Sequence, residues 1–248
     1  MSDFRLDLPD PTRSEAWSSG PLPTLRQTTP ARIATGRAGP RPPTSQMLLF
    51  QADHAVTQDA LMRQVDPDLL EEMGLFQVAS QASDRIEYLK RPDLGRQLSP
   101  EAIATLQEQL SPQPDVQIFV GDGLSAAAIE HNLPILLPAL IIGLQQLGLT
   151  VGRPFFVQNA RVGLLNAANQ IAQAKVCLVL IGERPGLARA ESLSIYLGYR
   201  PTPDATDAQR NVISNIYQNG LGPQEAAAQA IQLIQKMVAQ QTSGVNLQ

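Results

Sequence analysis

The chain is poor in the side chains that usually carry chemistry. Its 248 residues include one cysteine, two histidines and one tryptophan. A single thiol excludes an intramolecular disulfide framework and any zinc site built on several cysteines. Cys177 sits inside Val176-Cys177-Leu178-Val179-Leu180-Ile181, where it reads as a buried core thiol. His54 and His131 are too few for a His-rich metal centre, so no metal site is expected. Charge of one sign is scarce as well. Nineteen basic residues against 23 acidic ones give a net charge of −4 and a pI near 5.2. That leaves no whole-molecule field to attract a polyanion, and nucleic acid is not an expected partner, although a local basic patch is compatible with the total. Long apolar runs are also missing. The stretch around 133–149 carries Pro134, Pro138 and two glutamines and reads as too short to span a bilayer. Met1-Ser2-Asp3-Phe4-Arg5 has no basic-then-apolar pattern. A soluble, intracellular protein with no membrane partner is expected.

The hydrophobic share of 43% suffices for a sizeable core and excludes wholesale disorder. Residues 1–24 are rich in Pro, Ser and Asp without apolar periodicity and read as a flexible N-terminal arm. Residues 25–98 read as a helical and irregular, partner-facing region. It opens on a basic Gly/Pro loop around Gly36, Gly39 and Pro40, and Thr44 or Ser45 can cap a helix beyond it. From residue 99 the pattern changes. Ser99-Pro100-Glu101 combines a capping hydroxyl, a proline at the first helical position and an acid in the first turn, for a helix to about Leu110. Strands are expected at 116–120, 153–157, 176–181, 192–198 and 211–216. Helices are expected at 124–147, with interruptions at the prolines, at 162–174 and at 223–240. The last places Ala227, Ala230, Ile231, Ile234 and Val238 on one side. Alternating strands and helices over 115–240 indicate an α/β fold for residues 99–248, with a Rossmann-like, mostly parallel sheet flanked by helices and preceded by the mainly helical N-terminal region.

In such sheets ligands lie beyond the carboxyl ends of the strands. The loops to inspect are therefore Gly121–Ser125, Gln158–Gly163 and Gly182–Leu187. Gly121-Asp122-Gly123 lacks the third spaced glycine of a dinucleotide loop and puts an acid where a pyrophosphate would lie, so a tight turn capped by Asp122 or Ser125 is favoured. Gly182-Glu183-Arg184-Pro185-Gly186-Leu187 either projects Glu183 and Arg184 at a ligand or forms a salt-bridged surface turn. Ser192 and Ser194 have no nearby histidine as base, which argues against a hydrolase. His131 and His54 read as helix-surface or cap residues. Arg26, Arg32, Arg37 and Arg41 can serve a partner, an anionic ligand or solvation alone. These readings support a ligand-binding α/β domain and name no reaction.

An ordered set of segments goes further. It comprises Thr35-Gly36-Arg37-Ala38-Gly39-Pro40-Arg41, Arg91-Pro92-Asp93-Leu94-Gly95-Arg96, Asp122-Gly123-Leu124-Ser125 and Val151-Gly152-Arg153-Pro154-Phe155-Phe156-Val157. Gly182–Leu187 with Glu191-Ser192-Leu193-Ser194, Ile213-Ser214-Asn215-Ile216 and the closing Ser243-Gly244-Val245-Asn246 complete it. From about residue 26 onward the chain resembles the small (light) subunit of ethanolamine ammonia-lyase. The resemblance implies a hetero-oligomer with a large subunit that holds ethanolamine, and adenosylcobalamin (coenzyme B12) between the two for radical conversion of ethanolamine to acetaldehyde and ammonia. It carries the family's cobalamin contacts onto Val162, Glu183 and Val212, assigns no catalytic residue to this chain, and implies a cytoplasmic location within a bacterial microcompartment. The family often has Cys where Val212 stands, so that contact would rest on backbone or shape. Residues 163–169 lack the acids that relatives place there, which leaves a non-enzymatic cobalamin-binding or assembly module as the alternative. No Asp-x-His-x-x-Gly occurs in the chain, so a base-on cofactor is expected.

Overall fold

The computed structural model describes residues 22–29, 31–187 and 189–248. Residues 1–21 of the expected arm lie outside the described residues. The chain divides into two compact units, Met1–Gln58 and Asp59–Gln248. The first holds α1 (Leu22–Gln27), a loop with a small bridge between Ala38 and Arg41, and most of α2 (Thr44–Met62). No residue of α2 is buried, and Met47, Leu48, Phe50 and Val56 stand exposed along it.

The second unit is a three-layer α/β domain. It runs α3 (Pro67–Glu72), β1 (Phe76–Ala79), α4 (Arg85–Lys90), α5 (Pro100–Gln109), β2 (Val116–Gly121), α6 (Ala126–Gln146) and β3 (Phe155–Gln158). It continues through α7 (Leu164–Ala172), β4 (Val176–Gly182), β5 (Leu193–Tyr199), β6 (Arg210–Ile216) and α8 (Pro223–Gln240). The six strands lie in the order β1-β3-β2-β4-β5-β6. β1, β3, β2 and β4 pair in parallel, while β5 is antiparallel to both β4 and β6. The parallel part is thus the core of the sheet and not nearly all of it. The connection from Glu183 to Ser192 is shorter than the dozen or so residues a parallel crossover needs, so the chain returns as a hairpin.

Side chains alternate across the buried strands and feed two cores. Ile118 and Val120 of β2, with Leu178 and Leu180 of β4, pack toward α6 and α8. Phe119, Phe155, Val157, Cys177 and Val179 pack toward α5 and α7. Cys177 is fully buried, and desolvation pushes its thiol well above the ordinary range; it is core, as expected.

Two sequence expectations need correction. Residues 76–79 were expected to be helical or irregular, yet they form β1, whose Phe76 stacks near Phe155 at 5.6 Å between ring centroids. Four residues on an edge are too few for a period-2 signal to stand out. The second correction is α6, which is continuous through Pro134 and Pro138. Those prolines recur at i and i+4 with Glu130 before them, all on the less buried face. The carbonyls they leave without donors therefore lie where water can reach them. By length and composition α6 could cross a membrane. Here its other face, from Ile129 through Leu133, Leu136, Leu137 and Leu140 to Leu144, fills the core.

Candidate functional site

At the carboxyl edge of the parallel strands, the strand order reverses after β2, with β3 on one side and β4 on the other. A doubly wound sheet opens its ligand crevice there. In this protein the crevice is filled from within by α4. The Asp122 carboxylate accepts from Asn159 N at 3.0 Å, Ala160 N at 3.0 Å and Arg85 Nη1 at 3.1 Å. Arg85 also donates to Gly123 O at 2.9 Å and Leu61 O at 2.6 Å. Tyr88 is fully buried and donates to Ala160 O at 2.9 Å, with the Arg85 and Arg161 guanidinium carbons 4.8 and 4.3 Å from its ring centroid. Burial pushes the Asp122 carboxyl upward, and Arg85 and the loop amides pull it back toward the charged form. Asp122 therefore clamps the β2 and β3 loops instead of capping α6. Ser125 is the cap, accepting from Ala128 N at 3.2 Å.

The open surface lies one strand further across. β5 and β6 extend the sheet past α7, whose Leu165 still lies against Gly198 of β5, where a Cβ would stand 3.4 Å from it; further along, Tyr196 is half-buried and Val212 of β6 is exposed. Ser194 and Tyr196 of β5 point to this side, because the intervening Leu193, Ile195 and Leu197 enter the opposite core. Glu183, at the end of β4, is held by this edge. Its Oε2 accepts from Ser192 Oγ at 2.8 Å, its Oε1 accepts from Ser194 Oγ, and its N–H donates to Ser192 O at 3.0 Å. The loop carrying it is tied to α6, since Asn132 Nδ2 donates to Glu191 O at 2.8 Å and Ser125 Oγ donates to Ala190 O. Neither Glu183 nor Arg184 forms an ion pair among the described residues, so the salt-bridged reading of this turn does not hold.

Val212 of β6 lies opposite Tyr196 in the antiparallel register and is 50% exposed. Val162, in the turn before α7, lines a cleft of about 690 Å³ together with Tyr196, Arg96, Arg161, Asn166 and Arg210. Burial, then the charges of Glu183 and Asp207, raise the Tyr196 hydroxyl pKa. Tyr196 thus gathers the three residues expected from the sequence. Val162 shares its cleft, Val212 its strand register, and Glu183 is bonded by Ser194 two residues away.

The family comparison can be set against this geometry. The family model described as ethanolamine ammonia-lyase light chain (EutC) matches residues 19–248. The chain belongs to that family. It is a subunit of a lyase, and being a light chain implies a large-subunit partner. In this light chain, sequence reasoning missed Tyr196, Asn166 and Arg210. A period-2 reading of 193–199 singles out Tyr196 as facing away from Ile195 and Leu197, but only tertiary packing sets it in the wall of a cleft. His131 is an exposed residue of α6 whose Nδ1 donates to Ala127 O at 2.8 Å, on the far face of the sheet from Glu183. Arg32 pairs with Asp53, while Arg26, Arg37 and Arg41 form no ion pair among the described residues.

Proposed function

We propose that this light chain closes over adenosylcobalamin against a large subunit that holds ethanolamine, with Val162, Glu183 and Val212 as its cofactor contacts. The observation that carries the reading is the open face around Tyr196. It combines two partly exposed valines with one carboxylate fixed by hydroxyls. Each Glu183 oxygen accepts one serine hydroxyl and keeps a lone pair for an amide N–H, the donor type that fringes a corrin. Val162 and Val212 offer apolar contact to the ring edge, and no cationic side chain is required for a neutral macrocycle. The residues fit the group.

When bound, cobalamin supplies the radical chemistry that turns ethanolamine into acetaldehyde and ammonia, while the protein supplies position and electrostatics. Ser192 and Ser194 fix the rotamer of Glu183, so its oxygens are oriented before any ligand arrives. With His131 on the opposite face and no other histidine beyond residue 58, this domain offers no imidazole to replace the cofactor's own base, which supports a base-on mode. The exposed apolar residues of α2, Met47, Leu48, Phe50 and Val56, support residues 25–98 as a region facing the large subunit, with 99–248 facing the cofactor. A cytoplasmic microcompartment location is supported by the family alone.

Co-expression with the cognate large subunit tests the reading. A complex is expected that forms acetaldehyde only with both ethanolamine and cobalamin, and Glu183→Ala is expected to weaken cobalamin binding about tenfold or more, as loss of a charge-assisted hydrogen bond does, while subunit association stays intact. Unchanged cofactor affinity removes Glu183 from the site. Cobalamin retention without acetaldehyde turns the reading to a non-enzymatic binding module.

A further inference from the structure

The cleft beside the head of α7 carries positive charge that the proposed corrin contacts do not use. Arg96, Arg161 and Arg210 line it, and Asp207 is the only carboxylate among its lining residues. Asp207 pairs with Arg210. Arg96 and Arg161 form no ion pair among the described residues. The Arg210 side chain is only 7% exposed; its Nη2 donates to Asn166 Oδ1 at 3.0 Å and Ala205 O at 3.2 Å, and its Nε is buried without a partner. Arg161 Nε is likewise buried without one. The aliphatic part of Arg96 packs on Gly163, where a Cβ would stand 3.1 Å from its Cγ, which holds the guanidinium at the rim. The positive end of the α7 dipole opens on the same space, with no side chain capping the helix and no acid between Val162 and Ala174.

Three guanidiniums face one carboxylate around a cleft of about 690 Å³; Arg210 pairs with Asp207 and Arg161 lies over Tyr88 and donates to its carbonyl oxygen at 3.3 Å, so the lining keeps a net positive charge, with Arg96 forming no ion pair among the described residues. Buried guanidinium nitrogens left without partners are costly, and an anion in the cleft offsets that cost. We propose that this cleft is a phosphate subsite, binding the phosphate of a larger ligand between Arg96, Arg161 and the head of α7, with Arg210 adding charge from the wall. The cleft is far larger than phosphate alone, so the rest of the ligand extends along Tyr196 and Val162. The same chemistry has two sources, a free phosphate ester or the phosphodiester in the nucleotide tail of cobalamin; the second rests on the function proposed above.

The test uses the complex of light and large subunits with four light chains: wild type, Arg96→Gln, Ala167→Glu and the uncharged control Ala167→Gln. Ala167 lines the cleft and is partly exposed on α7, so Ala167→Glu sets a negative charge there without removing an arginine. Binding of cyanocobalamin and of cobinamide, which lacks the nucleotide tail, is read by ultrafiltration and visible absorption. Inorganic phosphate is read by the shift in unfolding temperature at ionic strength matched with chloride. If the tail is the source, Ala167→Glu weakens cyanocobalamin about tenfold, Arg96→Gln several-fold in the same direction, and Ala167→Gln and all cobinamide affinities stay unchanged. If a free ester is the source, phosphate raises the unfolding temperature of wild type and Ala167→Gln but not of Ala167→Glu or Arg96→Gln. The proposal is overturned if neither readout responds to the charge changes, or if Ala167→Gln acts like Ala167→Glu. A wild-type complex that binds neither corrinoid removes the function proposed above, and the phosphate arm still decides the subsite.

Discussion

Asp122→Ala tests the idea that the switch-point crevice is closed by an internal clamp. In the wild type the carboxylate serves three donors, Asn159 N, Ala160 N and Arg85 Nη1, and is only 3% exposed. Alanine leaves the two amides without acceptors. Arg85 Nη1 keeps Gly123 O, but its guanidinium loses its only counter-ion among the described residues, and its Nη2 already lacks a partner there. Breaking a buried pair by removing one side costs about 3–5 kcal/mol, mostly the penalty of the charge left behind. We expect about 4 kcal/mol, which for a chain of this size lowers the unfolding temperature by roughly 8–16 °C. Denaturant titration of the full-length chain, followed by far-UV circular dichroism, measures it. Asp122→Asn keeps the size and one acceptor oxygen and is expected to lose about half as much. A loss under about 1 kcal/mol for alanine, the range of an ordinary surface change, refutes the clamp and returns Asp122 to a dispensable turn residue.

Two further substitutions probe the same edge of the sheet and the opposite one. A Cβ on Gly182 would collide with the Ser125 carbonyl oxygen and stand 2.7 Å from that of Asp122, both backbone atoms. Gly182→Ala is therefore expected to cost about 2 kcal/mol by overpacking and to displace Glu183, so both the denaturation midpoint and cobalamin affinity should fall. A neutral result means that the β2 and β4 ends are less tightly apposed. At the amino edge, the Asp115 carboxylate accepts from Lys175 Nζ at 2.7 Å and from Thr150 N and Oγ1 at 2.8 Å. The Lys175 bond first, then the Thr150 amide, lower its pKa from 3.8 to about 2. A folded pKa below the unfolded one gives stability that is present above about pH 4 and lost as pH falls toward 2. With Lys175 about half exposed, screening limits this to about 1 kcal/mol. Asp115→Asn should flatten the acid limb of the stability profile by that amount, and an unchanged limb refutes the assignment.

The legible parts of the fold were those whose residues carry their own signal. The unbroken apolar run at 176–181 is a strand because it is buried on both faces, and Ser99-Pro100-Glu101 starts a helix because capping is local. β1 was illegible because Phe76-Gln77-Val78-Ala79 gains strand character only from its neighbour β3. The continuity of α6 was illegible because a proline's cost depends on where the orphaned carbonyl points, and only the packed helix sets that. The antiparallel turn of β5 was legible in principle, since the short connection after β4 excludes a crossover. At the site, Glu183 stood out because glycine and proline punctuate its turn. Tyr196 and Arg210 did not, because their place in the wall of a cleft is set by tertiary packing, with Arg210 held by Asn166 and Asp207. Arg85 and Asp122 lie 37 positions apart, and no local pattern joins them.

The internal clamp accounts for where the proposed ligand side of this domain lies. A doubly wound sheet ordinarily offers the crevice at its switch point. Here Arg85 and Tyr88 occupy that space and satisfy the loop amides through Asp122, so the position is rigid but closed. On the proposed function, ligand contact falls to the next available strand ends, where β4 runs into the antiparallel pair β5 and β6. That surface is open on one side, as the 50% exposure of Val212 shows. Binding sites for molecules of cofactor size bury most of the ligand, and a half-covered sheet edge cannot do so alone. On that proposal, the large subunit supplies the other wall. The scarcity of histidine and cysteine fits the same division. A chain that, as proposed, orients one carboxylate and presents two valines to a cofactor needs no nucleophile or metal ligand of its own if the reacting groups lie on the large subunit.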